Sequence, residues 1–118
     1  MKKENDTLEE NGLLFNIVVP LFNAEKYIEK CLLSIINQSY KNFQVQVVDD
    51  CSGDSSYKIA SSICKDNKNL KNFRNTRRIG ALNNIYNLLS GEIKEPTKTV
   101  DLIIDGDDYL YSNDVLNI

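Results

Sequence analysis

The 118-residue chain contains no histidine. That absence removes Ser-His and Cys-His nucleophile pairs, histidine general bases and most zinc sites, leaving acid–base or metal chemistry to Asp, Glu, Lys, Tyr or Cys. Cysteine is scarce as well. Cys31, Cys51 and Cys64 are odd in number and share no C-x-x-C spacing, which fits a reduced, cytoplasmic compartment better than a disulfide scaffold. Long hydrophobic runs are also missing. The longest, Leu13 to Phe22, is interrupted by Asn16 and Pro20 and is too short to span a bilayer. Met1 to Glu10 is charged and lacks the apolar core of a signal peptide. Positive charge is not in excess: the net charge of −3 argues against nucleic acid as the main partner.

What remains is an ordinary globular composition, 42% hydrophobic and 26% charged. A chain of this length is expected to form one core and to bury roughly two-thirds of its unfolded surface. Residues 1–12 read as a solvated tail, and residues 13–118 as a single domain. Phe15-Asn16-Ile17-Val18-Val19-Pro20 is a β-branched run stopped by proline, the pattern of a buried strand. With Asn23 as N-cap, Ala24 to Gln38 carries Ile28, Cys31, Leu32, Ile35 and Ile36 at three- and four-residue steps, one face of a helix. Phe43 to Val48 is a second strand ending in Asp49-Asp50. A second helix follows Ser52-Gly53-Asp54, with Ile59, Ala60, Ile63 and Cys64 on one side. Leu70 to Arg74 reads as a weaker third strand. Ile79, Leu82, Tyr86 and Leu89 mark a third helix closing near Gly91, and Glu92 to Lys98 is a polar loop. Val100 to Ile104 is a fourth strand, and a further helix could open at Asn113.

Strand and helix alternate, and each helix is long enough for a right-handed crossover. The expected fold is therefore α/β: a Rossmann-like parallel sheet of about four strands with helices on both faces. Ligands of such sheets bind at the carboxyl ends of the strands, where the strand order reverses.

Those ends carry Pro20-Leu21-Phe22-Asn23, Asp49-Asp50 and Asp105-Gly106-Asp107-Asp108, so five aspartates are expected at one crevice. Like charges gathered there call for a cation or ligand donors. Extended geometry would put Asp105 and Asp107 on the same side, with Gly106 clearing the approach of a ligand or ion. Oxygen-only donors favour Mg²⁺ or Mn²⁺, particularly an ion also held by substrate phosphates. Taken alone, Asp105-Gly106-Asp107 is equally an ordinary strand-ending turn, and Asp49-Asp50 reads first as a pair of capping residues for the helix after Ser52. Being adjacent, Asp49 and Asp50 point to opposite faces, so one can reach a ligand while the other bonds the following loop. Arg77 and Arg78, just before the third helix, could clamp a diphosphate. Cys51, beside two carboxylates, reads as an unreactive small residue in a turn. Phe22 and Tyr27 read as packing residues, with stacking on a base as the other use for an aromatic at a strand end.

Four ordered segments resemble family 2 glycosyltransferases of the GT-A fold, over about residues 15 to 110. Ile17-Val18-Val19-Pro20-Leu21-Phe22-Asn23 is similar to the family's strand ending in Pro-x-Tyr/Phe-Asn. Tyr27 to Ile35 followed by Gln38-Ser39-Tyr40 resembles its helix with a Gln-Thr-Tyr ending. Val47-Val48-Asp49-Asp50-Cys51-Ser52-Gly53-Asp54 resembles Val-Asp-Asp-Gly-Ser-Thr-Asp. Leu102-Ile103-Ile104-Asp105-Gly106-Asp107-Asp108 matches the D-x-D-D motif. The resemblance implies a nucleotide-sugar donor, typically linked to UDP, with Pro20, Phe22 and Asn23 lining its pocket and Asp50 bonding the base. It further implies Arg77 or Arg78 and Asn83 at the diphosphate or sugar, Asp105 at the ribose or sugar, and Asp107, with Asp105 and Asp108, at Mn²⁺ or Mg²⁺. Cys51 stands where the family has a small glycine, and Ala81-Leu82-Asn83 lacks the arginine of its Ala-Arg-Asn.

The resemblance further implies the donor-binding part of an inverting enzyme, with acceptor-binding strands and a catalytic base expected beyond residue 118. No residue here is assigned as that base, and neither sugar nor acceptor is specified. A sheet edge left without its next strand would favour self-association into homo-oligomers. The alternative is a non-catalytic nucleotide-sugar-binding or interaction module of the same fold. A phospho-accepting receiver domain is rejected, because its acidic pair follows the first strand and it needs a Lys-Pro near its end.

Overall fold

A computed structural model describes residues 13–81, 83, 85 and 99–117. The expected tail, the polar loop at 92–98 and most of the expected third helix lie outside the described residues. The elements are β1 (Leu14–Leu21), α1 (Ile28–Ile36), β2 (Phe43–Asp49), α2 (Ser56–Lys65), β3 (Leu70–Arg74) and β4 (Thr99–Ile103). All strand pairs are parallel, in the order β3-β2-β1-β4. The chain therefore steps outward from β1 through β2 to β3 and then returns to the far side of β1. The order reverses between β1 and β4, as expected for a doubly wound sheet.

Registers Ile17↔Val45↔Leu70 and Ile17↔Leu102 put alternate residues on one common face. Phe15, Ile17, Val19 and Leu21 of β1 and Phe43, Val45 and Val47 of β2 point there. They bury against Ile28, Cys31, Leu32 and Ile35 of α1 and Ala60 and Cys64 of α2. Full burial of each large aliphatic side chain contributes about 1.5–3 kcal/mol, so this face is the main source of stability. The opposite face is more polar: Asn16 links β2 to β4, accepting from Gln46 and donating to Asp101, both at 3.1 Å.

Three local expectations change. The first helix begins at Ile28 rather than Ala24, because Ala24 to Tyr27 form a turn whose carbonyl at Ala24 takes the Tyr27 and Ile28 amides at 2.9 Å. Asn23 is not its N-cap: Tyr27 is, without a side-chain cap bond, and the Asn23 carboxamide is used elsewhere. Residues 113–116 form turns rather than a helix. Of the third helix, Ala81, Asn83 and Ile85 are helical, Ile79 and Gly80 at its expected start are non-helical, and the remainder lies outside the described residues.

All three cysteines are free thiols. Burial, then the charges of Asp105, Asp108 and Asp107, push the Cys31 thiol up to about 12, and burial takes Cys64 to about 11. Neither is a nucleophile at neutral pH. Among the described residues no helix is long and apolar enough to cross a membrane.

Candidate functional site

At the β1/β4 reversal lies an open cleft of about 240 Å³, lined by Pro20, Leu21, Phe22, Asp50, Arg78, Ala81, Asp105 and Asp107. Three separate strand ends build it. β1 supplies Pro20 to Phe22, β2 ends one residue before Asp50, and β4 runs on into Asp105. Parallel pairing persists past the strands, with Asp50 N–H donating to Leu21 O at 2.8 Å and Gly106 N–H to Pro20 O at 3.0 Å. Backbone bonds thus hold the two acidic segments on either side of the end of β1.

Asp49 and Asp50 divide their work as adjacent strand residues must. Asp49, fully buried, faces the helices; it accepts from the Ser52 amide at 2.9 Å and hydroxyl at 2.5 Å and lies 3.5 Å from Arg74 Nε. It closes the turn after β2 and is absent from the cleft, so the crevice holds fewer aspartates than the five expected. Asp50 faces the cleft and is only 3% exposed. Its Oδ1 accepts from Asn75 Nδ2 at 3.0 Å and Ile79 N–H at 2.9 Å, and its Oδ2 from Gly80 N–H at 2.9 Å and Arg78 Nε at 3.3 Å. Burial pushes this carboxyl up, but the bonds from Ile79, Asn75, Gly80 and Arg78 outweigh it and hold the group well below the usual carboxylate range.

Arg78 also lies over the Phe22 ring, 3.6 Å from its centroid. Phe22 and Tyr27 are both exposed, correcting their reading as packing residues. Phe22 instead walls the cleft beneath a guanidinium.

Asp105-Gly106-Asp107-Asp108 is a turn rather than an extended segment, closed by Asp108 N–H on Asp105 O at 2.9 Å. Asp105 and Asp107 nevertheless share the cleft. Burial and the neighbouring Asp107 charge raise the Asp105 carboxyl above its ordinary range. Among the described residues no three acidic, cysteine or histidine side chains converge tightly enough to form a ready-made cage. Two crowded carboxylates with oxygen donors only are the set that suits a hard divalent ion completing its shell from phosphates.

Four sequence candidates stand apart from this lining. Asn23 is in the left-handed region (φ 47°), its Oδ1 accepting from Gly53 N–H at 2.8 Å. Asn83 is exposed and donates to Ile79 O at 2.8 Å. Arg77 and Asp108 are exposed. Sequence reasoning missed the loop at 75–80 as a cradle for Asp50, since main-chain donors carry no residue signature.

The sequence model of glycosyl transferase family 2 matches residues 16–118. An uncharacterized glycosyltransferase of Haemophilus influenzae is 36% identical over 76 residues, 64% of this chain and 24% of that protein. The 1–349 fragment of Staphylococcus aureus TarS, solved in complex with UDP, superposes with a TM-score of 0.68 at 31% identity, covering 89% of this chain and 30% of that one. A mannosyltransferase of Pyrobaculum calidifontis, solved with GDP-Man and Mn²⁺, has the same fold at a TM-score of 0.76 and 24% identity, covering 89% and 30%. The chain spans a quarter or less of the length of the first curated relatives it matches.

Proposed function

The chain belongs to glycosyl transferase family 2, and from that premise we propose that it is the donor-binding part of an inverting glycosyltransferase, taking a UDP-sugar with a divalent cation. The observation that carries this reading is the meeting of Asp50, Arg78, Asp105 and Asp107 around Pro20 and Phe22 in one cleft at the strand reversal. UDP is favoured as the nucleotide because the TarS fragment that this chain resembles was solved with it.

Asp105 and Asp107 would hold Mn²⁺ or Mg²⁺, with Asp108 next in the turn. When bound, the ion supplies the charge that lets a diphosphate lie against carboxylates and that stabilises the diphosphate as it leaves. The exposed Phe22 ring offers a stacking surface, and Arg78 a guanidinium for phosphate oxygens. Asp50 is read as the acceptor for a base N–H. Its present donors fill both oxygens, so that contact requires one donor to yield, and the Arg78 bond, at 3.3 Å, is the longest of the four. Self-association across the β4 edge, where Ile103 is 52% exposed, belongs to the same reading, with dilution-dependent sedimentation as its check.

Calorimetric titration of the chain with UDP, with and without Mn²⁺, tests the function. Binding is expected only with the ion, and Asp107→Ala, an exposed substitution, is expected to abolish it. A folded wild-type chain that binds no UDP, or binds it equally well without the ion, overturns the assignment.

A further inference from the structure

We infer that three polar side chains, Cys31 and Ser34 of α1 and Gln38 just past its C-cap Asn37, position the acidic turn at 105–108 for its cation, a role that rests on the donor-binding reading. Cys31 and Ser34, three residues apart, share one face of α1, and Gln38 follows two residues after the helix ends. Each bonds to the main chain of the segment that carries and follows the turn. Cys31 Sγ donates to Asp105 O at 3.7 Å, and Ser34 Oγ accepts the Leu110 amide at 3.0 Å. Gln38, fully buried, donates to Ser112 O at 2.5 Å and accepts the Leu116 amide at 3.1 Å. Ser39 N–H adds a bond to Asn113 O at 2.8 Å.

The turn is thereby anchored at both ends. Upstream, Ile104 and Gly106 amides bond to Val18 and Pro20 of β1 at 3.0 Å. Downstream, the main-chain bonds at Leu110, Ser112, Asn113 and Leu116 all run to α1 or to the residues just after it. Asp105, Asp107 and Asp108 repel one another, and a turn held at one end only would relax by spreading them. The Gln38-Ser39 pair, which has no place in the cleft, acquires a use: it fixes carboxylate spacing from behind. These are positioning residues, since none touches the cleft.

The test compares wild type, Ser34→Ala and Ser34→Thr, with Gln38→Met as a second disruption. Amide hydrogen exchange is followed at residues 106–116 and at Val45–Val48, and UDP binding is titrated at varied Mn²⁺. In Ser34→Ala and Gln38→Met, exchange at 106–111 is expected to rise about tenfold while Val45–Val48 stays protected, and the Mn²⁺ requirement to rise about tenfold, as for other outer-shell partners of metal ligands. Ser34→Thr, which keeps the hydroxyl, is expected to restore both. Unchanged exchange at 106–111, an equal rise at Val45–Val48, or an unaltered Mn²⁺ requirement in variants of a chain that does bind UDP overturns the positioning role alone. A wild type that takes no UDP at any Mn²⁺ concentration removes the donor-binding reading and this role with it.

Discussion

The Gly106 amide donates to the Pro20 carbonyl at 3.0 Å, and that same oxygen lies 3.1 Å from where a Cβ on residue 106 would stand. The sequence suggested a glycine that clears space for a ligand; the space it clears is for β1. A Cβ would also come within 3.0 Å of Leu21 Cδ1, a side-chain tip able to turn aside, whereas the Pro20 carbonyl is backbone.

Gly106→Ala is therefore expected to push the end of β4 from β1 by a few tenths of an ångström. Overpacking of this kind costs about 1–3 kcal/mol, read by urea denaturation. Because Asp105 and Asp107 flank the displaced residue, Mn²⁺-dependent UDP binding should weaken in the same variant. A variant as stable as wild type would show that the strands separate freely here.

Cys51 sits at φ 66°, in the left-handed region, where a side chain costs about 1–2 kcal/mol. Glycine at this place in the family's signature then has a backbone reason. Cys51→Gly is expected to stabilise the chain by about 0.5–1 kcal/mol, the relief being partly offset by the greater freedom of glycine in the unfolded state. Cys51→Val, β-branched at the same φ, should move stability the other way. Equilibrium denaturation of both variants checks the sign.

How far the sequence was legible follows from the range of each interaction. β1 announces itself through the β-branched run Ile17-Val18-Val19 and β2 through the alternation of Phe43, Val45 and Val47 with Gln44 and Gln46, and the core face of α1 through Ile28, Cys31, Leu32 and Ile35, because burial imposes period on sequence. Alternation of elements was enough to place Pro20, Asp50 and Asp105 on one rim. The helix start was misjudged because Asn23 looks like a cap while its carboxamide bonds Gly53, thirty residues away. The Gln38 bonds to Ser112 and Leu116 and the Asp50 bonds to Ile79 and Gly80 were invisible for a related reason. They join side chains to distant main-chain atoms, which any residue type supplies.

Asp50 carries a pH signature. Its folded pKa is depressed, so its contribution to stability is fully present above the unfolded value of about 3.9 and is lost as pH falls from there through the folded value. Asp54 is shifted the same way: burial raises it, and bonds from Ser56 and Glu25 more than compensate. Wild type alone therefore cannot isolate Asp50. Comparison with Asp50→Asn does: the variant loses charge-assisted bonds worth about 2 kcal/mol at pH 7, and the gap in melting temperature should narrow steadily below pH 4. A gap independent of pH would mean that the Asp50 charge contributes nothing to holding the 75–80 loop.

Asn23 allows backbone strain and side-chain bonding to be separated at one position. Its φ of 47° is tolerated by asparagine better than by most residues. Its amide donates to Ser52 Oγ at 2.9 Å and its Oδ1 accepts the Gly53 amide at 2.8 Å, tying the end of β1 to the turn after β2. Asn23→Gly keeps the conformation and deletes the carboxamide bond, at a net cost of about 1 kcal/mol. Asn23→Ala deletes the same bond and adds left-handed strain of about 1 kcal/mol more. If the carboxamide serves the donor rather than this clamp, the two variants should lose UDP affinity together while the glycine form keeps wild-type stability. The expected order in denaturation, wild type above glycine above alanine, with UDP affinity following stability, would assign Asn23 to the framework of the cleft.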